Sequence, residues 1–203
     1  EENYIVRNIW RRFKEDEVCY NSGSALGNVI EQSGTLWNKL LKRELIGCIR
    51  FNEKIRYAED TLFLSEYLLK ANSVAVTKKP LYYYRINRLG NVVSGGLNSR
   101  HLDYLYATAL IFDILRENGS VDVGVERVVD VGIRVAALMN KTNKQKCYMD
   151  AIRQLAKKAM PYRTELIKNN RSVKQYFKKF ILTQMSYGNC LFVYCSKIVN
   201  RIK

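Results

Sequence analysis

Apolar residues recur every three to four positions over most of the second half of the chain, and in shorter stretches of the first. That spacing marks helices with one buried face. Tyr4 to Phe13 reads as such a helix, through Ile5, Ile9 and Phe13. A second is expected from Thr35 to Gly47, with Leu36/Trp37, Leu40/Leu41 and Leu45 as its stripe and Gly47 as its stop. Leu62/Phe63, Tyr67 and Leu69 predict a third over about Thr61 to Ala71. Beyond His101 the pattern is helical throughout. Leu102, Leu105, Ala109 and Phe112 mark one helix, ended by Asn118-Gly119. Val125 to Leu138 marks another, Cys147 to Met160 a third, broken near Pro161, and Val173 to Ile202 one or two more.

Strand patterns are fewer. Val74 to Thr77 and Leu81 to Ile86 flank Lys78-Lys79-Pro80 and read as a small hairpin. Ile49 to Tyr57 is expected to be short and extended. Glu15-Asp16-Glu17 reads as a solvated loop. Asn21 to Gly34, with glycines at 23, 27 and 34, reads as a loop or broken segment, and Asn87 to Asn98 as a flexible loop. The fold class that follows is α+β and helix-rich, with residues 1–98 as one part and 99–203 as a basic helical extension.

Charge narrows the partners. The 203 residues carry 34 Lys+Arg against 19 Asp+Glu, a formal net charge of +15. Such a chain is drawn to anions: nucleic acid, anionic lipid or phosphorylated small molecules. The five cysteines show no C-x-x-C spacing and there is one histidine, His101. A Cys/His zinc site is therefore not expected, and free thiols in a reducing compartment are. No apolar run reaches the roughly 18–20 residues of a membrane span.

The candidate chemistry centres on Glu59-Asp60, at the start of the third helix. A carboxylate there accepts backbone N–H bonds and suits the positive helix end. It can equally be held as a general base aimed into a cleft. Spacing alone leaves both readings open. Three tyrosines at 82–84 alternate faces on a strand, and packing accounts for most of them.

The stretches Leu36-Trp37-Asn38-Lys39-Leu40, Phe51-Asn52-Glu53, Glu59-Asp60-Thr61-Leu62-Phe63 and Leu81-Tyr82-Tyr83-Tyr84-Arg85 occur in this order between Gly34 and Gly96. Together they resemble the second half of family 2 glycosyltransferases, closest to bacterial enzymes of capsule, exopolysaccharide and lipopolysaccharide synthesis. The resemblance implies the C-terminal part of a GT-A fold, a nucleotide-sugar donor, a saccharide or lipid-linked acceptor, a divalent metal (Mg2+ or Mn2+) and inversion at the anomeric carbon. It puts Asp60 on the catalytic base, with Glu59 as its partner. Trp37, Asn38 and Lys39 fall near the cleft, and Arg85 and Arg88 are placed to meet phosphate.

Two departures matter. No pair of aspartates two apart exists in the chain, so the Asp-x-Asp metal motif and the nucleotide-binding half are not among these residues. This sequence alone is expected to be inactive. The loop Gly90-Asn91-Val92-Val93-Ser94 also departs from the Gly-Ser-Ile-Ser/Thr of relatives, so a hydroxyl contribution there is not carried over. The resemblance implies a cytoplasmic location. The apolar run Phe180 to Val199, bracketed by lysines and arginines, adds an expected peripheral contact with an anionic inner membrane surface. The alternative class is a non-catalytic basic helical module for nucleic acid. The charge allows it, but no helix-turn-helix, RNP-like or zinc-finger signature accompanies the charge.

Overall fold

A computed structural model describes residues 17–77, 79, 81–82, 96–139, 146–168 and 172–188. The chain divides into two compact units, Glu1–Phe51 with Asp60–Gly96 and Asn52–Glu59 with Leu97–Lys203. It is helix-rich, with a small two-stranded antiparallel sheet, an α+β composition.

In the first unit β1 (Glu17–Asn21) pairs antiparallel with β2 (Ser73–Thr77), Cys19 opposite Ala75. Among the described residues the partner of β2 is thus β1, which takes in Glu17 of the expected solvated loop and three residues, 18–20, that no pattern had assigned. The strand expected over Leu81 to Ile86 lies largely outside the described residues. Leu81 and Tyr82, which are described, belong to no strand.

Helix α1 (Ser22–Gln32) occupies the segment read as broken. Asn21 caps it, its Oδ1 accepting from the Ser24 amide at 3.3 Å and the Ser24 hydroxyl at 2.9 Å. Ala25, Leu26, Val29 and Ile30 are buried on one face. Each glycine in a helix costs about 1 kcal/mol against alanine. Burying one large aliphatic side chain recovers about 1.5–3 kcal/mol, so the buried face outweighs Gly23 and Gly27.

The helix expected over Thr35 to Gly47 shrinks to α2 (Arg43–Ile46). The stop at Gly47 is where the sequence put it, with φ 49°. Ahead of α2 the chain is irregular, Asn38 lies at φ 64°, and Leu40 is fully exposed at 101%. The supposed apolar stripe is therefore not buried as a stripe. The amide of Lys42 donates to the Tyr67 hydroxyl at 2.8 Å, a tertiary bond in place of a helical one.

Helix α3 (Glu59–Leu68) carries Leu62, Phe63, Leu64, Tyr67 and Leu68 into the core. Phe51 stacks on Phe63 with ring centroids 4.5 Å apart. Residues 49–57, expected to be extended, form turns and bends instead, with Ile49 and Ile55 buried.

The second unit is a helical assembly of α4 (Arg100–Glu117), α5 (Val121–Ala137), α6 (Lys146–Ala159), a 3-10 turn (Met160–Tyr162), α7 (Glu165–Lys168) and α8 (Val173–Tyr187). These match the predicted helices closely, including the end of α4 before Asn118-Gly119. Phe112, Val125, Val128, Val129, Ile152, Leu155, Ile181, Leu182 and Met185 form the core. The β-branched run of α5 lowers helix propensity by only a few tenths of a kcal/mol per residue. Burial of Val125, Val128, Val129, Val131 and Val135 overrides that. Lys178 of α8 bridges Glu126 and Asp130 of α5 at 3.3 and 3.2 Å with its side chain 10% exposed. The segment Asn52–Glu59 joins this unit: the Arg56 amide donates to Asp103 at 3.1 Å, and Tyr57 meets Tyr104 edge-on at 4.8 Å.

Candidate functional site

Asp60 is the second residue of α3. Its Oδ1 accepts from the Thr61 amide at 2.7 Å and from the Thr61 hydroxyl at 3.3 Å. A capping side chain bonds the amides two or three residues on, and Asp60 instead bonds the next one. Its charge still sits in the first turn, where the helix end favours an anion. Both hydrogen bonds fall on Oδ1, and Oδ2 carries none among the described residues. Glu59 makes no hydrogen bond or ion pair among the described residues.

Lys39 is the second element. Its Nζ is shielded from solvent. Burial pushes its ammonium down from 10.5 to about 8, and the negative charge of Asp60 holds it up against that fall. A cation and a carboxylate from two separate segments are therefore brought into one electrostatic neighbourhood. The helix expected over Thr35 to Gly47 would have put Lys39 off its apolar stripe; residues 36–42 are irregular instead, and the Lys39 Nζ is shielded from solvent.

Two contacts hold the Lys39 segment against α3, and a third braces it internally. Gly34 lies so close to Thr61 that a β-carbon there would stand 2.3 Å from its Cγ2. The Lys42 amide is bound to Tyr67. The Ser33 and Thr35 hydroxyls bond each other at 2.8 Å across Gly34. Trp37 stacks on Tyr82, with ring centroids 5.4 Å apart and planes at 23°. Two of the quoted motifs thus meet in space.

Backbone strain marks the same motifs. Among the described residues, the non-glycine positions with positive φ are Asn38 at 64° and Ala58 at 66°. Asparagine tolerates the left-handed region, but alanine there costs about 1–2 kcal/mol. Asn38 immediately precedes Lys39, and Ala58 immediately precedes Glu59-Asp60. Strain of this kind persists only where surrounding structure enforces it.

Of the residues singled out by sequence, the structure brings Trp37, Asn38, Lys39 and Asp60 into one unit. Arg85 and Arg88 lie outside the described residues. Gly34, Thr61, Tyr67 and Tyr82 were not assigned to the site. The glycine was read as a breaker, and the tyrosine hydroxyl bond has no sequence signature. Among the described residues no group of three or more His, Cys, Asp or Glu side chains comes together to hold a metal. Asp60 and Glu59 do not make up a divalent-metal site with these neighbours, and no chemical step is derived through one.

Compared with protein-family models, curated proteins and solved structures, the chain matches none.

Proposed function

We propose that this chain supplies the acceptor side and the general base of an inverting glycosyltransferase, in which Asp60 is the base. The observation that carries the reading is the Asp60 carboxylate: one oxygen is fixed by Thr61, the other carries no hydrogen bond among the described residues, and the Lys39 ammonium is buried nearby. In the step proposed, Asp60 takes the proton of an acceptor hydroxyl as that oxygen attacks the anomeric carbon. The bond from that carbon to the diphosphate breaks, and the nucleoside diphosphate leaves with the electron pair. The transition state has oxocarbenium character, as in glycoside hydrolysis.

Lys39 supports this, because a buried ammonium in the same neighbourhood suits a cleft that receives anionic or hydroxyl-rich ligands. The order of the four motifs supports the GT-A assignment, a nucleotide-sugar donor, and a saccharide or lipid-linked acceptor in surface-polysaccharide synthesis. Peripheral attachment at the inner face of the membrane suits a lipid-linked acceptor.

The test is reconstitution. Co-expression with a donor-binding half carrying Asp-x-Asp should give nucleoside diphosphate release that depends on both polypeptides and on an acceptor. Release that is independent of this chain would refute the reading.

A further inference from the structure

Helix α8 is apolar on two opposite faces. Ile181, Leu182 and Met185 are buried at 1, 0 and 0% exposure. On the other side Tyr176, Phe180 and Tyr187 repeat at intervals of four and seven, which places them on one face. Phe177 lies beside them. Their exposures are 50, 45, 66 and 40%. Phe177 and Phe180 stack on each other, ring centroids 6.5 Å apart. Four exposed aromatic side chains along four turns make a contiguous apolar patch of the kind that marks an interaction surface.

The charge around the patch has one sign. Helix α8 contains no acidic residue. Lys179 flanks the stripe, and Lys174 stands exposed in the first turn on the side of Ile181 and Met185. At the far end the Arg153 side chain packs over Gly188, its Cδ 3.3 Å from where a β-carbon would stand. Glu126 and Asp130 of α5 are engaged by Lys178 on the inner side. The outer face therefore offers aromatic rings between cations.

We infer that the outer face of α8 is a docking surface for an anionic phospholipid bilayer. Tyrosine and phenylalanine rings enter the headgroup and acyl boundary while lysine and arginine meet lipid phosphates. Thr183 and Gln184, between the rings, keep the helix lying in the interface plane. Among the described residues no helix is long and apolar enough to cross a membrane. The attachment named is therefore to the surface. This inference rests on α8 alone and stands whether or not Asp60 is a catalytic base.

The experiment is co-sedimentation of the 203-residue chain with two vesicle types, phosphatidylcholine alone and phosphatidylcholine with phosphatidylserine. Sedimentation is expected with the anionic vesicles and should weaken as salt rises. The double variant Phe177→Ser/Phe180→Ser should lose binding by about tenfold or more, and Lys174→Glu/Lys179→Glu should lose the preference for anionic lipid. Lys174, Phe177 and Phe180 are exposed and Lys179 partly so, and circular dichroism checks that both variants fold. Failure to sediment with anionic vesicles would overturn the inference. So would an aromatic variant that binds like the parent, single-stranded oligonucleotide binding lost with the same rings, or self-association through them.

Discussion

Lys39→Met separates a buried cation from its packing. The aliphatic stem of lysine is close to methionine in shape, so the variant removes the charge and little volume. An ammonium whose pKa falls from 10.5 to about 8 is less favourable in the folded chain than in the unfolded one. Taken without screening, the difference is worth about 3.4 kcal/mol at neutral pH. Lys39 keeps some solvent exposure along its stem, so screening reduces this to about 1–2 kcal/mol. The methionine variant should then be more stable than the parent by about 1–2 kcal/mol at pH 7. The pH dependence follows from the direction of the shift. Between pH 8 and 10.5 the unfolded chain binds the proton more tightly, so parent stability rises with pH. Above 10.5 the lysine is neutral in both states, and the gain from methionine should vanish. Urea denaturation of both proteins at pH 7, 9 and 10.5 measures this. A methionine variant less stable than the parent at pH 7, or a difference constant across that range, would refute the account of Lys39.

Gly34→Ala should cost about 1–3 kcal/mol through its clash with Thr61. Thr61→Ala should relieve part of that cost, giving a coupling above about 0.5 kcal/mol in a double-mutant cycle by thermal denaturation. Additive losses would contradict the contact. Ala58→Gly releases a left-handed residue and should raise stability by about 0.5–1 kcal/mol. A loss in the same denaturation measurement would show that Ala58 is not strained. Lys178→Ala leaves Glu126 and Asp130 facing a vacated site and should cost about 3–5 kcal/mol, read from the urea midpoint, whereas Lys178→Met should cost less. Equal losses in the two variants would point to charge alone, and a methionine variant as stable as the parent would point to packing.

Helices α3 to α6 and α8 were legible because their buried faces repeat at helical spacing and their ends carry local signals, whereas the single turn of α7 was not predicted. Asn118-Gly119 stops α4, Pro161 follows α6, and Gly47 ends α2. The position of Asp60 at the start of α3 was legible for the same reason. What the sequence concealed was tertiary. β1 was hidden because pairing with β2 across some fifty residues outweighs the local charge run. α1 was hidden because glycines were weighed without the four apolar residues it buries. The irregular course of residues 36–42 depends on Tyr67 reaching back to the Lys42 amide, and no periodicity encodes that bond. Its consequence is chemical, because the irregular stretch carries Lys39, whose Nζ is shielded from solvent. The motifs singled out residues by order along the chain, and the structure altered how they are arranged.

Asp60→Asn in a transferase assembled with its donor-binding half tests the central proposal most directly. Asparagine keeps an oxygen for the Thr61 amide, so stability should change by no more than about 0.5–1 kcal/mol. It cannot accept a proton at neutral pH, so transfer should fall by about 10²–10⁴-fold while donor binding persists. A folded Asn variant that transfers sugar at near the parent rate would mean that Asp60 only braces the first turn of α3, and the proposed site would be wrong.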